Sequence, residues 1–230
     1  MFKRYAIFFT PQSGRFAQSG AAWLGWDLVQ GCNVAQPDTA EIDIAAVTAR
    51  PRKYGLHATM KAPFSLAGGT TEQDLTDALE ALCTAQHAVA LEGLVLSQIG
   101  RFLALTPVGD TGDVNALAST VMRSLDPFRA PISQVEFDRK NRPGLSDRQR
   151  QLLGQWGYAN VEEFFRFHIT LTGPVSDSAR NRISQMLEHY LVPTIPAPFI
   201  VDGLALCGEG DDDRFYQIAR FALNKASNSL

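Results

Sequence analysis

Apolar and polar residues alternate along two separate stretches of the chain, a pattern that predicts β-strands with one buried face. The stretches are "YGLHATMKA", residues 54–62, and "FFRFHITLTG", residues 164–173. Successive side chains of a strand point to opposite faces, so each stretch would bury its apolar side. The polar positions are then His57, Thr59 and Lys61 in the first strand and His168, Thr170 and Thr172 in the second.

A helical pattern follows each of these strands. Apolar residues recur at i, i+3, i+4 and i+7 within residues 70–87 and again within residues 176–191, which is the spacing of an amphipathic helix. Two more helices are predicted, one from about residue 113 to 125 and a short one within residues 141–157. Residues 31–53 fit either a helix or an extended segment.

The chain repeats this order of elements once. "EGLVL" at 92–96 corresponds to "DGLAL" at 202–206, and "RFLAL" at 101–105 corresponds to "RFYQI" at 214–218. These pairs are offset by 110 and 113 residues, and the two histidines by 111. Three matches at a nearly constant offset predict an internal duplication, in which each copy runs strand, helix, strand, turn, strand.

The duplication predicts an α+β fold with a single bilobal domain over residues 1–230. The cores of the two copies are expected at about residues 50–108 and 160–223. A leading strand should precede each core, at residues 4–9 for the first copy and at residues 130–139 for the second. Two antiparallel sheets with flanking helices would then enclose a central cleft, and both histidine faces would turn toward it.

Composition narrows the class of protein. With 230 residues, 45% hydrophobic and 20% charged, the chain is typical of globular proteins, and its net charge of −3 argues against a DNA-coating protein. The three cysteines lack close spacing and predict neither a disulfide framework nor a cysteine zinc site. The start of the chain predicts a strand rather than a signal peptide, and no apolar stretch approaches the roughly 20 residues of a membrane span. We therefore expect a cytoplasmic monomer without a membrane partner.

Two imidazoles and two threonine hydroxyls in one cleft suit chemistry on a phosphodiester. A neutral imidazole can take a proton from a nucleophile while a protonated one donates a proton to the leaving oxygen. An ordinary imidazole pKa near 6.5 allows both states at neutral pH, and threonine hydroxyls can donate to the non-bridging phosphate oxygens. No metal or other cofactor is required. A zinc site is the less favoured alternative, because no acidic or cysteine ligand lies within three residues of His57 or His168.

The motifs "HAT" at 57–59 and "HIT" at 168–170, each on a strand of a duplicated α+β chain, resemble those of the two-histidine (2H) phosphoesterase superfamily. The resemblance extends from "RYAIFF" near the start to "RFYQIARFAL" near the end. It implies metal-independent hydrolysis of a cyclic phosphodiester or related phosphoester. The catalytic residues it implies are His57, His168, Thr59 and Thr170. The sequences "YGLHATMKAPF" and "EFFRFHITLTGPV" also resemble those of a bacterial branch of the superfamily that is often encoded with phosphonate-utilisation genes.

Six further residues are candidates for substrate binding. They are Lys61, Tyr5, Tyr54, Arg139, Arg142 and Thr172. Lys61 and Thr172 continue the histidine faces of their strands, whereas strict alternation places Tyr54 on the opposite face. The two arginines belong to a cationic run, residues 137–150, which is either a lid over a phosphorylated substrate or a solvated surface.

The expected partner is a phosphorylated small molecule or a nucleotide. RNA is less favoured, because the long segments 31–53 and 139–158 depart from the RNA-processing members of the superfamily that the motifs resemble. Two alternative functions remain open. One is a ligase or 2′,3′-cyclic phosphodiesterase acting on RNA ends, and the other is a non-catalytic module that binds a phosphorylated metabolite. The sequence does not distinguish the acid histidine from the base.

Overall fold

The computed structural model of the chain describes residues 2–225. Within that range the chain forms eleven strands and seven α-helices. The strands are β1 (Tyr5–Phe9), β2 (Trp26–Asp27), β3 (Cys32–Asn33), β4 (Ala58–Phe64), β5 (Val89–Leu91), β6 (Gly93–Ile99), β7 (Phe102–Val108), β8 (Ile169–Thr170), β9 (Phe199–Val201), β10 (Gly203–Glu209) and β11 (Phe215–Ala222). The helices are α1 (Gly14–Leu24), α2 (Ile44–Arg52), α3 (Glu72–Ala85), α4 (Gly112–Ser124), α5 (Gln134–Lys140), α6 (Asp147–Trp156) and α7 (Asp177–Tyr190).

Seven of the strands form one antiparallel sheet in the order β11-β10-β1-β4-β8-β7-β6. The predicted α+β class is confirmed, but the two predicted sheets are the two halves of this single sheet. The halves meet where β4 pairs with β8, at the Cα partners Ala58 and Ile169. Two short ribbons, β2 with β3 and β5 with β9, complete the strand pairing of the described residues.

Both predicted cores begin with a strand and a helix, as the repeat predicts, but three strands follow the helix in each core rather than two. The first runs β4, α3, β5, β6, β7, and the second runs β8, α7, β9, β10, β11. Their hairpins are exchanged, because β10 and β11 lie in the half of the sheet that contains β4, whereas β6 and β7 lie in the half that contains β8. Each histidine strand therefore shares its half of the sheet with the hairpin of the other copy.

The predicted leading strand at residues 130–139 is wrong. This segment contains α5, and its first turn is capped by Ser133, whose hydroxyl accepts a hydrogen bond from the Glu136 amide at 3.2 Å. A serine followed three residues later by a glutamate is a start signal for a helix, and here it overrides the apolar alternation. No strand lies between β7 and β8, which pair directly at Ala104 and Thr170.

Residues 31–53, which fitted either a helix or an extended segment, contain a helix, and the short helix predicted within residues 141–157 is confirmed. In residues 31–53 the helix is α2, and the carboxylate of Asp43 accepts a hydrogen bond from the Ala46 amide at 3.0 Å at its start. In residues 139–158 it is α6, where Ser146 and Gln149 form a reciprocal capping box. None of the helices within residues 2–225 is long and apolar enough to cross a membrane.

The two faces of the sheet are packed differently. One face carries the main core, in which helices α3, α4 and α7 contribute fully buried side chains such as Leu75, Val121 and Ile183. The other face is covered beside β1 and β10, where Trp26 and Leu28 pack on Phe8 in a second cluster. That cluster does not extend to β6, where Val95 is 45% exposed. The histidine strands lie at the edge of the covered region.

Helix α1 approaches the histidine region through a glycine. A Cβ added to Gly20 would lie 2.3 Å from Cδ2 of Leu56, the buried residue just before His57. We expect Gly20→Ala to lower the free energy of unfolding by about 1–3 kcal/mol through overpacking. Urea denaturation measures this change.

A second helical glycine provides the matched control. Gly154 lies in α6, and a Cβ there would meet only Phe137, at 3.7 Å. Gly154→Ala should therefore be neutral or stabilise the protein by roughly 0.5–1 kcal/mol, since alanine is the better helix former. Equal effects of the two substitutions would contradict the close approach at Gly20.

Candidate active site

The pairing of β4 with β8 brings the two motifs together. Ala58 and Ile169 are antiparallel partners, and both side chains are fully buried in the main core. Since neighbouring residues on a strand face the opposite way, the flanking residues lie on the other face of the sheet. One step along the register sets His57 opposite Thr170, and Thr59 opposite His168. We call these four partly buried residues the quartet: His57, Thr59, His168 and Thr170.

Both histidines are oriented by the same backbone contact. Nδ1 of His57 lies 2.9 Å from the Gly55 carbonyl, and Nδ1 of His168 lies 2.7 Å from the Arg166 carbonyl. A carbonyl oxygen only accepts, so Nδ1 donates in each case and the Nδ1–H tautomer is fixed. Nε2 of His57 therefore has a free lone pair, which accepts a hydrogen bond from the Thr59 hydroxyl at 3.2 Å.

The turn before β4 positions the carbonyl that holds His57. It follows α2, and the Gly55 amide donates to the Arg52 carbonyl at 3.2 Å. Gly55 has φ of +67°, a left-handed conformation that other residues rarely adopt, and a Cβ there would lie 2.6 Å from Leu28 Cδ2. The backbone therefore requires glycine two residues before the histidine.

Aromatic rings surround His57. The Phe8 ring lies 4.1 Å from the imidazole, and the Tyr54 ring stacks on it at 5.6 Å between centroids. Tyr54 in turn stacks on Phe215 at 5.0 Å. His168 has one described ring neighbour, Phe102, at 6.1 Å. The two halves of the cleft thus differ, because only His57 sits against the second hydrophobic cluster.

This packing changes the acidity of His57. Burial lowers the pKa of its imidazole to about 4, the Gly55 carbonyl opposes the shift, and the nearby His168 adds to it. Desolvation acts in this direction because it disfavours the charged form. His57 is therefore neutral at physiological pH, with Nε2 available as a proton acceptor.

Three predicted binding residues lie away from the quartet face, which corrects their assignment to it. Tyr5 points into the main core, where its hydroxyl donates to Glu72 Oε2 at 2.9 Å and its pKa is raised to about 12, mainly by burial. Thr172 is buried, and its hydroxyl accepts from the Leu103 amide at 3.0 Å. Lys61 is also buried, with Nζ donating to the Met122 carbonyl and to Asp126, both at 3.0 Å.

The cause of the Lys61 error is an irregularity in the pairing of β1 with β4. Phe8 pairs with Thr59, but Ile7 pairs with Lys61, so the register shifts between the two positions. Such a bulge adds a residue to one strand and reverses the facing of those beyond it. Lys61 consequently follows Ile7 to the core side, away from His57.

Of the other three candidates for substrate binding, only Tyr54 has a described contact with a member of the quartet. Tyr54 does reach the quartet, although the alternation pattern pointed it away, because it belongs to the turn after α2 rather than to β4. Arg139 lies on α5 with 67% of its side chain exposed and pairs weakly with Glu136 at 3.8 Å. Arg142 follows α5 in a loop, and no described contact connects either arginine to the histidines.

Sequence reasoning missed the side chains that β1 contributes to this face. Alternation along β1 sends Arg4 and Phe8 to the quartet side, while Tyr5 and Ile7 enter the main core. Arg4 forms a bidentate pair with Glu209 at 2.6 and 2.8 Å. The alternating pattern of β1 shows which of its side chains share a face. Which of the two faces carries the quartet depends on the neighbouring strands, which the sequence does not give.

No group of three or more His, Cys, Asp or Glu side chains within residues 2–225 is arranged to hold a metal ion. The quartet itself contains two imidazole nitrogens and two neutral hydroxyls, which make a poor divalent cation site. They can instead accept one proton, donate another and hydrogen-bond an oxyanion between them.

A family model described as "Protein of unknown function (DUF1045)" matches residues 59–217. Two relatives carry the name "Ribose 1,5-bisphosphate phosphokinase PhnN". The one from Janthinobacterium sp. (strain Marseille) is 35% identical over 216 residues, covering 90% of this chain and 47% of the relative. The one from Laribacter hongkongensis (strain HLHK9) is 37% identical over 224 residues, covering 94% and 51%. The chain thus spans about half the length of these curated relatives.

Several solved structures have a distantly similar fold. A structure titled "Crystal structure of phosphoesterase" has a TM-score of 0.47 at 15% identity, covering 97% of this chain and 99% of the other. E. coli LigT complexed with 3′-AMP has a TM-score of 0.47 at 16% identity, with the same coverage. The 3′-AMP is bound by LigT.

The lowered pKa of His57 predicts a specific acid sensitivity. Between pH 6.5 and about 4 the unfolded imidazole binds a proton that the folded one does not, so this group destabilises the fold as pH falls through that window. From pH 7 to pH 5 its contribution should fall by about 2 kcal/mol. His57→Gln should lose less unfolding free energy than the unchanged protein over this range.

Urea denaturation at pH 7 and pH 5 measures the effect. The matched control is His189→Gln on α7, an exposed histidine whose Nδ1 lies 2.6 Å from the Gln185 carbonyl. The His189→Gln variant should lose as much unfolding free energy between pH 7 and pH 5 as the unchanged protein. The same pH dependence in all three proteins would show that His57 is not desolvated in the folded state.

Proposed function

The chain belongs to the DUF1045 family, and we propose that it is a metal-independent phosphoesterase that hydrolyses a cyclic phosphodiester. One observation supports the proposal: in the β4–β8 register, two histidines and two threonines share one face of the sheet. Two imidazoles and two hydroxyls supply a base, an acid and donors for the phosphate oxygens. The resemblance of both motifs to the two-histidine phosphoesterases supports the same chemistry.

We assign the base to His57. Its pKa of about 4 leaves the imidazole neutral across the physiological range, and the Gly55 carbonyl holds the proton on Nδ1. Nε2 can then accept a proton from water. The acid is His168, whose Nδ1–H is bound to the Arg166 carbonyl in the same way, so that a second proton on Nε2 can be given to the leaving group.

The hydrolytic step follows from this assignment. Water attacks phosphorus, its oxygen forms the new P–O bond, and its proton passes to Nε2 of His57. The endocyclic P–O bond opposite breaks, and its oxygen takes the Nε2 proton of His168. The product is a phosphomonoester with a free hydroxyl. Proton exchange with solvent restores both histidines.

The threonines act on the non-bridging oxygens. In the structure the Thr59 hydroxyl donates to His57 Nε2 at 3.2 Å. During the reaction the attacking water would take over this hydrogen bond to Nε2. A bound phosphate would redirect this hydroxyl to one of its oxygens, and Thr170 is placed diagonally to serve the other. Both hydroxyls then stabilise charge that increases in the transition state.

The names of the relatives suggest the substrate class. A ribose 1,5-bisphosphate phosphokinase acts on a ribose that carries a phosphomonoester at C1. Opening the ring of a ribose 1,2-cyclic phosphate at the O2–P bond would leave such a 1-phosphate. We therefore propose that the substrate is a cyclic phosphate of a phosphorylated pentose, with its phosphate ring on the quartet. A role in phosphonate breakdown agrees with the resemblance of the two motif sequences to the bacterial branch encoded with phosphonate-utilisation genes.

Replacement of either histidine tests the mechanism. We expect His57→Ala and His168→Ala each to lower kcat by about 10²–10⁴, because each removes one partner of the general acid–base pair. The assay is ³¹P NMR of purified protein with ribose 1,2-cyclic phosphate, with and without a 5-phosphate, and with 2′,3′-cyclic nucleotides. His189→Ala should keep full activity, and turnover by the double variant His57→Ala/His168→Ala would contradict the proposal.

Chelation tests the independence from metal. Activity should be unchanged after dialysis against EDTA, since the acid, the base and the oxyanion donors are all side chains. Loss of activity that zinc or manganese restores would overturn this mechanism. Turnover of 2′,3′-cyclic nucleotides alone would instead indicate the RNA-end activity, and tight binding without turnover of any member would indicate a binding module.

A further inference from the structure

A cavity lined by several charged side chains lies beside β4 and contains no member of the quartet. Its volume is about 230 Å³, and its walls come from β4, the segment 129–133, α5 and the end of α6. Lys61, Arg129 and Lys140 line it together with the phenol of Tyr158. The proposed hydrolysis uses none of these residues, so the function of this cavity needs a separate explanation.

The charge around the cavity is positive. Asp126 pairs with both Lys61 and Arg129, at 3.0 and 2.8 Å. Glu136 pairs with Lys140 at 2.7 Å and more weakly with Arg139. Three cations and the Glu136 carboxylate therefore line the cavity, and the Asp126 carboxylate pairs with two of these cations. Burial raises the pKa of Asp126, but hydrogen bonds from Arg129 and Lys61 outweigh it and hold the pKa below its ordinary value.

The cations retain unused hydrogen-bond donors. Nζ of Lys140 donates to the Gly157 carbonyl at 2.8 Å and pairs with Glu136, which occupies two of its three N–H groups. Arg129 uses four of its five N–H groups, on Asp126, the Ala130 carbonyl and the Gln155 carbonyl. Among the described residues the Tyr158 hydroxyl has no hydrogen-bond partner. One N–H group of Lys140, one N–H group of Arg129 and the Tyr158 hydroxyl thus remain for a ligand.

The cavity lies beside the end of β4 that follows the quartet, because residues 61–64 of this strand line it. The pKa of Arg4 is raised, mainly by its hydrogen bonds to Glu209 and also by Glu136, which lines the cavity. Arg4 directly precedes β1, whose Phe8 packs against His57. Along β4, Ala62 of the cavity wall is three residues from Thr59, about 10 Å at the rise of a strand.

We propose that this cavity binds a phosphate group, with Lys140, Arg129 and Tyr158 as donors. A site with surplus positive charge and free N–H groups favours an oxyanion over a neutral ligand. The phosphate has two possible sources: a second phosphate on the substrate whose cyclic phosphodiester lies on the quartet, or a free anion. The first source rests on the proposed function, whereas phosphate binding itself does not.

Binding of inorganic phosphate tests the site without turnover. We would titrate phosphate into His57→Ala/His168→Ala protein and follow backbone amide shifts by NMR, so that binding at the quartet does not contribute. Shifts should map to residues 129–133 and 156–158. Lys140→Gln should weaken this binding about tenfold, because a charge-assisted hydrogen bond is lost.

Two further variants keep this test interpretable. Arg148→Gln removes an exposed cation of α6 that pairs with Glu163 at 2.7 Å, and it should leave phosphate binding unchanged. Tyr158→Phe removes only a hydroxyl and should weaken binding even if Lys140→Gln disturbs the fold. The absence of phosphate shifts at the cavity, or equal binding by all three variants, would overturn the proposal.

Kinetics identify the source of the phosphate. In protein with both histidines, Lys140→Gln should raise KM about tenfold for ribose 1,2-cyclic phosphate bearing a 5-phosphate and leave KM for the unphosphorylated sugar unchanged. Equal KM effects on the two sugars, with phosphate binding still lost, would assign the site to a free anion. If neither sugar is hydrolysed, the proposed function fails while the phosphate titration still decides this site.

Discussion

The structure of the site depends on one short strand pairing, that of β4 with β8 at Ala58 and Ile169. These two side chains are fully buried in the main core, and a slip of one residue would place histidines there instead, at the cost of burying polar groups. The hydrophobic core therefore fixes the register, and the register fixes the quartet. Because this pairing also joins the two halves of the sheet, stability of the fold and geometry of the site have the same origin.

A duplicated chain would be expected to make two equivalent histidines, yet their surroundings differ. Both rings donate Nδ1–H to the carbonyl two residues earlier, which is the symmetric feature of the repeat. The asymmetry comes from outside the copies. The segment between β1 and β4 supplies Tyr54, which stacks on His57, as well as Trp26 and Leu28, which belong to the cluster of Phe8. In the proposed mechanism, the desolvated imidazole of His57 is therefore the base.

Much of the fold could be predicted from the sequence, because its strongest signals are local and periodic. The helices α3 and α7 and the strand that precedes each of them follow from apolar spacing and from the repeat. The segment 130–139 was mispredicted because the cap formed by Ser133 and Glu136 outweighs a weak alternation. The pairing of the motifs across one sheet could only be an expectation, since strand neighbours are set by long-range packing that no local pattern encodes.

The error in the placement of Lys61 has a physical cause in the geometry of β4. Alternation assigns faces correctly only while a strand remains regular, and β4 is irregular between Thr59 and Lys61. The bulge turns Lys61 inward, where its ammonium donates to the Met122 carbonyl near the end of α4 and to the carboxylate of Asp126. A buried ammonium needs such partners, and here they leave a net positive charge beside the cleft. The irregularity that removes a lysine from the histidine face thus builds the cationic wall of the neighbouring cavity, and β4 contributes to both sites with one strand.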